Sequence, residues 1–465
     1  MTLFHELSRA EGPSQQATKS DGLPHASHSA KQVGGRIKRA QEAKREILVD
    51  QGVNSMRRRS FLAAAAALGG LPTISQRVQG ATKSANLKIT GVEIWRLTGN
   101  PDQMKAYQAS FGNGTTRTFR NVPASQLYMK LLTNEGVEGF YGTFDQTAAD
   151  AVMGLARNVI GQDPLAIDTL WERMHAGAHR YSGTYMFGVS TIDNCLWDLK
   201  GKFLGIPVYQ LLGGSRKTID VYASCIGQSL EPDRVRESAA QLKKEGYKAQ
   251  KWFPTRTPSD GQTGYEENLA LIRVLRETVG ANYDIMIDPL LRWDLPYAMK
   301  WCKDAEQYRP RWLEEPVPTA GQVENLARLR QMTFIPIATG EHSYGRWDAQ
   351  ELIEHNAVDV IQIDPEWGGG ISELVKICTL ASVHGLMVCP HNQRSTALAH
   401  LTASQPPAVC PFMEYQIDLQ PNLYYFDKNQ LIPKNSQITL PDLPGLGIEL
   451  DESRIVKKKK IFPVA

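Results

Sequence analysis

The sequence predicts an α/β protein in which a modified TIM (β/α) barrel follows an N-terminal α+β capping domain. Three observations lead to this prediction. After residue 216, short apolar runs alternate with helical stretches in the order typical of a barrel. Before that point, an antiparallel meander precedes several helical segments. In addition, acidic residues close three of the apolar runs at a nearly constant interval.

The composition is that of an ordinary globular enzyme, because 42% of the 465 residues are hydrophobic and 22% are charged. The formal charge is +3, but residues 1–81 hold twelve Lys and Arg against six Asp and Glu, which leaves −3 for the remainder. That balance argues against a nucleic-acid partner. The six cysteines have no CxxC spacing, so we expect buried thiols rather than a disulfide framework.

Residues 1–86 are predicted to be a disordered extension that includes a twin-arginine export signal at 56–81. Residues 1–55 are polar with little apolar periodicity, so they are either disordered or the result of a start codon placed too far upstream. Met56 opens a basic segment with three arginines before Ser60, of which Arg58 and Arg59 form the twin-arginine pair, and an alanine-rich apolar stretch follows. This stretch is too short for a stable membrane span. We therefore expect a periplasmic or exported protein. The alternative is that this segment is a basic amphipathic helix and that the protein is cytoplasmic.

The capping domain is predicted to occupy residues 87–214. Strand-like alternation comes first, with a glycine turn at 133–136, and helical periodicity follows. The strand candidates are 87–95, 125–132 and 137–141, and the helical candidates are 146–160, 166–175 and 187–203. The aromatic stretch 181–187 either covers the site or packs as an ordinary surface loop, and the glycine-containing loop 111–114 is similarly open to both interpretations.

The barrel is predicted at 215–417, and residues 418–465 are expected to return to the cap. Eight strand candidates alternate with helical stretches, which is the pattern of repeated βα units. The strand candidates are 221–224, 249–253, 284–288, 312–314, 336–339, 358–363, 386–389 and 412–415. Between most of them lie helical candidates at 232–245, 265–279, 296–307, 349–355 and 371–384.

Three acids stand at the ends of successive barrel strands. Asp288, Glu314 and Glu341 are separated by 26 and 27 residues, about the length of one strand–helix–strand step. Because parallel strands bring their carboxyl ends to one rim, these acids should converge. Unpartnered carboxylates there would repel and raise each other's pKa, and a Mg²⁺ ion removes that cost. The alternative is a network of ion pairs with Lys or Arg.

Other strand ends also carry side chains of chemical interest. The second strand ends at Lys251, the sixth at Asp364, the seventh at His391 and the eighth at Glu414. An imidazole with a pKa near about 6.5 can gain and lose a proton at neutral pH. A carboxylate on its far nitrogen fixes the tautomer and stabilises the imidazolium. Asp364 and His391 are 27 residues apart, one strand step, so they are candidates for such a pair.

At this point a family resemblance emerges, which spans about residues 87–450. The chain resembles the enolase superfamily, in its mandelate racemase subgroup, and most closely the rhamnonate-dehydratase-like acid-sugar dehydratases. The motifs that carry this resemblance recur in order, and they are Leu196-Trp-Asp-Leu-Lys-Gly-Lys202, Trp312-Leu-Glu-Glu-Pro316, Thr339-Gly-Glu-His342, Gly368-Gly-Gly-Ile-Ser-Glu373 and Pro444-Gly-Leu-Gly-Ile-Glu449.

The resemblance implies a role for each acid and for the His–Asp pair. Asp288, Glu314 and Glu341 match the family's Mg²⁺ ligands. His391 and Asp364 match its catalytic dyad. By strand alternation, the acid that follows Glu314 in the sequence should point elsewhere.

Three further residues receive roles from the resemblance. Lys251 matches the first lysine of the subgroup's Lys-x-Lys signature, whereas Phe253 stands where the second would be, which puts two-base racemisation in doubt. Lys251 would offer charge to a substrate carboxylate, or else extend into solvent. Glu414, if it is protonated, would donate a hydrogen bond to the substrate carboxylate. Otherwise it would form a salt bridge that closes the barrel. His342 either lines the pocket or only packs.

These implications predict a Mg²⁺-dependent dehydratase of a sugar acid, an aldonate or aldarate. His391 would remove the proton next to the carboxylate or protonate the departing β-hydroxyl, or do both, to give a 2-keto-3-deoxy acid. The alternatives are a one-base epimerase or cycloisomerase of the same superfamily, and a non-catalytic exported sugar-acid binding protein. The partner is then a small-molecule sugar-acid substrate, and the resemblance to the family also implies a homo-oligomer.

Overall fold

The computed structural model describes residues 86–100, 107–110, 116–119, 125–176, 183–318 and 323–464. The expected export signal at 56–81 and the loop at 111–114 lie outside the described residues. Within the described ranges, no helix combines the length and the apolar character that crossing a membrane requires.

The described residues form strands that we number β1 to β15 and helices that we number α1 to α12. The strands are β1 (Ile89–Thr98), β2 (Tyr107–Ser110), β3 (Thr116–Phe119), β4 (Ser125–Thr133), β5 (Gly139–Phe144), β6 (Thr218–Ser224), β7 (Ala249–Trp252), β8 (Asp284–Ile287), β9 (Trp312–Glu314), β10 (Ile337–Thr339), β11 (Val360–Ile361), β12 (Met387–Val388), β13 (Phe412–Gln416), β14 (Gln437–Thr439) and β15 (Lys457–Val464). The helices are α1 (Gln146–Leu155), α2 (Ile167–Ala176), α3 (Gly183–Leu204), α4 (Val208–Leu211), α5 (Pro232–Lys244), α6 (Gly261–Val279), α7 (Leu295–Ala305), α8 (Val323–Gln331), α9 (Arg346–Glu354), α10 (Gly370–Val383), α11 (Ser395–Ser404) and α12 (Gln420–Leu423).

The N-terminal part is an antiparallel sheet packed against helices. Its strand order is β15-β1-β4-β5, so the last described strand of the chain pairs with the first. In β1, Val92 and Ile94 are buried, and they share a core with Ile192 and Leu196 of the long helix α3. Burying one face of the sheet against α3 is what makes this small layer stable.

The barrel comprises β6 to β13, which are parallel neighbours in the order β12-β11-β10-β9-β8-β7-β6-β13. Helices α5 to α11 follow the first seven of these strands in turn, and the short α12 follows β13. β14 pairs antiparallel with β6. The predicted fold class, an α/β barrel with an N-terminal α+β cap, is confirmed.

The barrel strands are buried on both faces, as their apolar runs predict. Met286 and Trp312 belong to a cluster inside the barrel, whereas their neighbours Ile287 and Leu313 pack under the outer helices. The Trp312 ring lies parallel to that of Phe412, with 6.1 Å between centroids. This inner layer is the floor beneath the rim where the acids stand. All six cysteines are buried and unpaired, as expected.

The cap contacts the barrel through helix α3 and the glycine-rich loop before α10. Asp193 accepts hydrogen bonds from the backbone N–H of Ser372 at 2.9 Å and from its hydroxyl at 2.6 Å. Gly370 has φ +82°, and a Cβ there would lie 2.4 Å from Asp193 Oδ2. The glycine is required because helix and loop approach so closely.

This approach makes a testable prediction. Gly370→Ala should lower the free energy of unfolding by about 3 kcal/mol, because it adds a clash to the strain of a positive φ. The matched control is Gly385→Ala, which also has positive φ (+68°) but nothing within 4 Å of the added Cβ. We expect the control to cost only about 1 kcal/mol. Urea unfolding of both variants checks this, and equal losses would contradict it.

Candidate active site

Strand alternation explains why most of the candidate residues face the barrel axis. Met286 and Trp312 point inward, so the residues two positions later, Asp288 and Glu314, also point inward at the rim. Glu341 lies three positions after the inward-facing Ala338, which breaks this period. Gly340 has φ +130°, and this turn of the backbone directs Glu341 to the site despite the extra residue. A Cβ at Gly340 would lie 3.1 Å from the backbone nitrogen of Gln362.

The three acids converge as the sequence predicts. One carboxylate oxygen from each of Asp288, Glu314 and Glu341 lies within 4.8 Å of the others, and all three side chains are buried. Burial raises the pKa of Asp288 well above its ordinary value, and the Glu314 carboxylate raises it further. Burial likewise raises the pKa of Glu341 to about 7. The group is therefore short of positive charge.

Lys251 lies among these acids rather than in solvent. Its side chain is 1% exposed, and Nζ contacts Glu314, Glu414 Oε1 at 3.0 Å and Asp288 Oδ2 at 3.4 Å. Burial disfavours the ammonium, but the Glu314 and Glu414 carboxylates outweigh it and hold the pKa of Lys251 well above its ordinary value. The Phe253 ring packs against the ammonium, with 5.2 Å to its centroid. Lys251 is thus a permanent cation and not a base.

The donor set fits a hard divalent cation. The three acids offer only oxygen atoms, which Mg²⁺ prefers, and the raised pKa values of Asp288 and Glu341 show that the Lys251 ammonium does not fully offset their burial and mutual repulsion. Asp288 is already oriented, because its Oδ1 accepts a 2.9 Å hydrogen bond from the Leu290 N–H. The residues present can therefore hold the metal that this fold and donor set imply.

The predicted His–Asp pair is also brought together. His391 Nδ1 lies 2.7 Å from Asp364 Oδ2. On the other side of the ring, His391 Nε2 lies 3.7 Å from Glu341 Oε2. Burial opposes the charged imidazole, but Glu341 and Asp364 outweigh burial and raise its pKa to about 10. The proton carrier thus stands directly beside the carboxylate group.

Aromatic rings cover His391. The ring of Trp367 stacks on the imidazole with 4.9 Å between centroids. Phe187, from helix α3 of the cap, stacks in turn on Trp367 at 5.5 Å. Of the two interpretations of the aromatic stretch, the described part therefore favours cover for the site. Stacked rings keep water from the imidazole and strengthen its interactions with nearby charges.

A second group of possible ligands adjoins the first. It consists of Glu315, Glu341 and His342. The imidazole Nδ1 of His342 lies 2.8 Å from Glu315 Oε2, and its side chain is 43% exposed. Glu315 has φ +38°, so simple strand alternation does not describe it. Its carboxylate groups with Glu341 and His342 at the same rim, while the partly exposed His342 borders the open side.

Glu414 is held by the barrel itself. Its Oε2 accepts a 3.0 Å hydrogen bond from the Asn392 N–H, and its Oε1 pairs with Lys251. Burial favours the neutral acid, but Lys251 and His391 outweigh it and lower the pKa of Glu414 below its ordinary value. Glu414 is therefore ionised, and this geometry matches the salt-bridge interpretation rather than a protonated donor.

A cavity of about 210 Å³ lies next to the dyad, between cap and barrel. Its lining residues come from both parts, and they include Gln126, Asp145, Thr191, Glu366, Trp367 and Gln393. A larger cavity of about 410 Å³ lies between α5 and α6 and contains none of the candidate residues. Sequence reasoning missed Glu366 and Trp367, although both follow Asp364 within three positions, which is the one signal that pointed to them.

Family models match both the capping domain and the barrel of this chain. The model of the mandelate racemase / muconate lactonizing enzyme N-terminal domain matches residues 115–213, and the enolase C-terminal domain-like model matches 234–454. A D-galactonate dehydratase from Ralstonia pickettii (strain 12J) is 32% identical over 365 residues, which cover 75% of this chain and 95% of the relative.

Solved structures show the same relationship. The 3,6-anhydro-D-galactonate cycloisomerase from Zobellia galactanivorans aligns with a TM-score of 0.66 at 27% identity, over 80% of this chain and 100% of that one. A member of the enolase superfamily from Salmonella Typhimurium aligns with a TM-score of 0.68 at 26% identity, over 82% and 100%.

The chain belongs to the enolase superfamily, in its mandelate racemase subgroup, and the resemblance predicted from the motifs is confirmed. It is an enzyme of the hydro-lyase type, similar to the sugar acid dehydratases of that subgroup.

The raised pKa values make the metal site sensitive to pH. Mg²⁺ affinity should fall as the pH drops from about 8 to about 6, because Glu341, whose pKa is about 7, must lose its proton to bind the metal. Calorimetric titrations in two buffers of different ionisation enthalpy will report the released protons. An affinity that does not change with pH would contradict the assignment.

Two neighbouring acids offer a matched pair for the same titration. Glu314→Gln removes a ligand of the first group and should weaken Mg²⁺ binding at least about tenfold. Glu315→Gln removes a ligand of the second group and should change the affinity little. If Glu315→Gln caused the larger loss, the metal would occupy the second group instead.

Proposed function

We propose that this enzyme is a Mg²⁺-dependent dehydratase of a sugar acid, an aldonate or aldarate, and that it forms a 2-keto-3-deoxy acid. The observation that carries the proposal is the position of His391 Nε2, 3.7 Å from Glu341 Oε2. A proton carrier at this distance from a metal ligand can reach the carbon next to a carboxylate held by that metal. The D-galactonate dehydratase relatives support the same class of substrate.

Asp288, Glu314 and Glu341 are the residues that would hold the metal. When bound there, a divalent cation supplies positive charge that holds the substrate carboxylate and stabilises the negative charge formed as the adjacent carbon loses its proton. A hydroxylated substrate needs polar partners beyond its carboxylate, and Gln126, Thr191 and Gln393 line the adjoining cavity.

His391 moves the proton. Asp364 engages Nδ1 and so leaves Nε2 as the site that would accept the α-proton, once a cation held by Glu341 offsets the carboxylate charge that raises the imidazole pKa. The C–O bond to the β-hydroxyl then breaks, and the imidazolium returns its proton so that the hydroxyl leaves as water. The resulting enol becomes the keto acid. Phe253 occupies the place of the second lysine and Lys251 is a cation, so we assign both proton transfers to His391.

Lys251, Glu414 and His342 would complete the binding site. The Lys251 ammonium adds the positive charge that a carboxylate substrate needs, and Glu414 fixes that ammonium by a 3.0 Å ion pair. His342 stands at the open side, where its exposed edge can meet substrate hydroxyls. We therefore place Lys251 and Glu414 around the carboxylate end and His342 at the entrance.

The direct test is a Mg²⁺-supplemented screen of aldonic and aldaric acids with detection of the keto-acid product. We expect β-elimination on one or more members, lost on chelation and restored by Mg²⁺. A folded, metal-loaded protein that neither turns over nor exchanges an α-proton with D₂O on any member would count against the proposal.

The role of His391 gives a quantitative prediction. His391→Asn should lower kcat by about 10²- to 10⁴-fold, which is what a positioned acid or base contributes. Mg²⁺ affinity should remain, because Asn replaces no ligand. Substrate binding by calorimetry serves as the control for folding. A variant with wild-type turnover would exclude His391 as the proton carrier. Unchanged substrate affinity in the variant, with no turnover by the wild type, would instead fit the alternative of a non-catalytic sugar-acid binding protein.

The runner-up is a cycloisomerase or one-base epimerase. The structural likeness to a 3,6-anhydro-D-galactonate cycloisomerase supports this second candidate function. The two reactions differ in their products. Solvent deuterium in recovered substrate or in an isomer, without loss of water, would favour the runner-up, whereas formation of a keto acid would favour dehydration.

We also propose that the protein is exported in the folded state through the signal at 56–81 and that it works as a homo-oligomer. Fusion of residues 56–81 to a reporter that matures only in folded form should carry the reporter to the periplasm. Replacing Arg58 and Arg59 by Lys should block its export. Light scattering of the purified enzyme measures the oligomer.

A further inference from the structure

Behind the dyad, a buried carboxyl group faces the capping domain instead of the metal group. Glu366 is 5% exposed and lies in the loop between β11 and α10. The hydroxyl of Tyr141, a fully buried residue of the cap strand β5, donates a hydrogen bond to Glu366 Oε1. The mechanism outlined above uses neither residue, so this contact requires its own explanation.

Glu366 also contacts the dyad directly, through its backbone. Its N–H donates to Asp364 Oδ1 at 2.5 Å. The other oxygen of Asp364 accepts from the Gln393 N–H at 2.9 Å and engages His391 Nδ1 at 2.7 Å. Each oxygen of Asp364 thus has its own fixed donor, and the donor to Oδ1 moves with Glu366.

A third residue secures the same contact from the cap. Asn194 of α3 donates to the Tyr141 hydroxyl at 3.1 Å and to the carbonyl of Pro365 at 3.1 Å. Its own side-chain oxygen accepts from the Ile371 N–H at 3.0 Å. The Asn194 side chain therefore holds the barrel segment on both sides of Glu366 by two hydrogen bonds, and it holds Tyr141 by a third.

The charge state of Glu366 suits a structural contact. Burial, together with the Asp364 carboxylate, raises its pKa to about 8. The Tyr141 hydroxyl and Arg394 act in the opposite direction, and Asp145 acts with Asp364. At neutral pH Glu366 is mostly a neutral acid, so it adds no repulsion to the carboxylate that orients His391.

We propose that Tyr141 and Glu366 are positioning residues that connect the capping domain to the catalytic dyad. Tyr141 holds the Glu366 side chain, the Glu366 N–H holds Asp364, and Asp364 holds the imidazole of His391. The inference rests on the proposed function only where turnover is concerned, because the orientation of the imidazole can be measured without substrate.

The first measurement separates kcat from KM. Glu366→Ala and Tyr141→Phe should lower kcat about 10- to 100-fold, as removal of an outer partner does at comparable sites, with KM changed less than about threefold. Glu366→Gln should stay within about threefold of wild type, because it keeps the shape and remains neutral. If Glu366→Gln lost as much as Glu366→Ala, the proposed neutral contact would be overturned.

The second measurement needs no substrate. The Nδ1–H proton of His391, bonded to Asp364, should give a downfield NMR resonance in the Mg²⁺-loaded enzyme, assigned by its absence in His391→Asn. Glu366→Ala and Tyr141→Phe should shift or broaden this resonance, and Glu366→Gln should keep it. The matched control is Tyr283→Phe, which removes a tyrosine hydroxyl bonded to the Tyr247 carbonyl at 2.6 Å, near the start of β8.

The outcomes are separable. A changed resonance in Glu366→Ala and Tyr141→Phe, with none in Tyr283→Phe, supports the inference even if the sugar acid screen finds no substrate, a result that would count only against the proposed function. An unchanged resonance in both test variants overturns the inference. So does an equal change in the Tyr283→Phe control, since it would reveal general destabilisation.

Discussion

The structure depends on three buried carboxylates that the barrel holds within 4.8 Å of one another. At an effective dielectric constant of about 20, each such pair repels by about 3.5 kcal/mol. No local preference of these side chains would produce this arrangement, so the scaffold must impose it. The parallel strands bring the acids to one rim, and the aromatic floor with Trp312 prevents their retreat inward. Lys251 offsets part of the repulsion, and a cation held by all three acids would offset the rest.

Much of this could be predicted from the sequence, because it follows from two periods. The interval between strand ends is the length of a βα unit, so residues such as Asp288 and Glu314 had to meet at one rim. Within a strand the period is two, so the apolar residue two positions earlier reports the direction of the acid. The same reasoning placed His391 one unit after Asp364, and their contact at 2.7 Å follows.

The remainder depends on information that periodicity does not contain. Glu341 faces the site because Gly340 adopts φ +130°, and Glu315 departs from alternation because its own φ is +38°. Neither conformation is encoded in a hydrophobic pattern. Contacts between distant segments are hidden for a similar reason, since nothing near Tyr141 in the sequence indicates that it will meet Glu366 in the barrel. The burial of Lys251 among acids likewise results from packing against Phe253 and its neighbours.

The cap and a cation held by the three acids would stabilise each other, because the cap lowers the polarity around the site. Stacking of Phe187 on Trp367, and of Trp367 on His391, keeps water from one side of the site. With the carboxylates uncompensated, lower polarity increases their repulsion, so closing the cover costs more. With a cation in place, the same lower polarity increases the attraction between the cation and its ligands. Because such coupling is reciprocal, the aromatic cover would favour cation binding by as much as cation binding would favour the cover. The barrel, which supplies the charged ligands, and the cap, which excludes water, would therefore act as one thermodynamic unit.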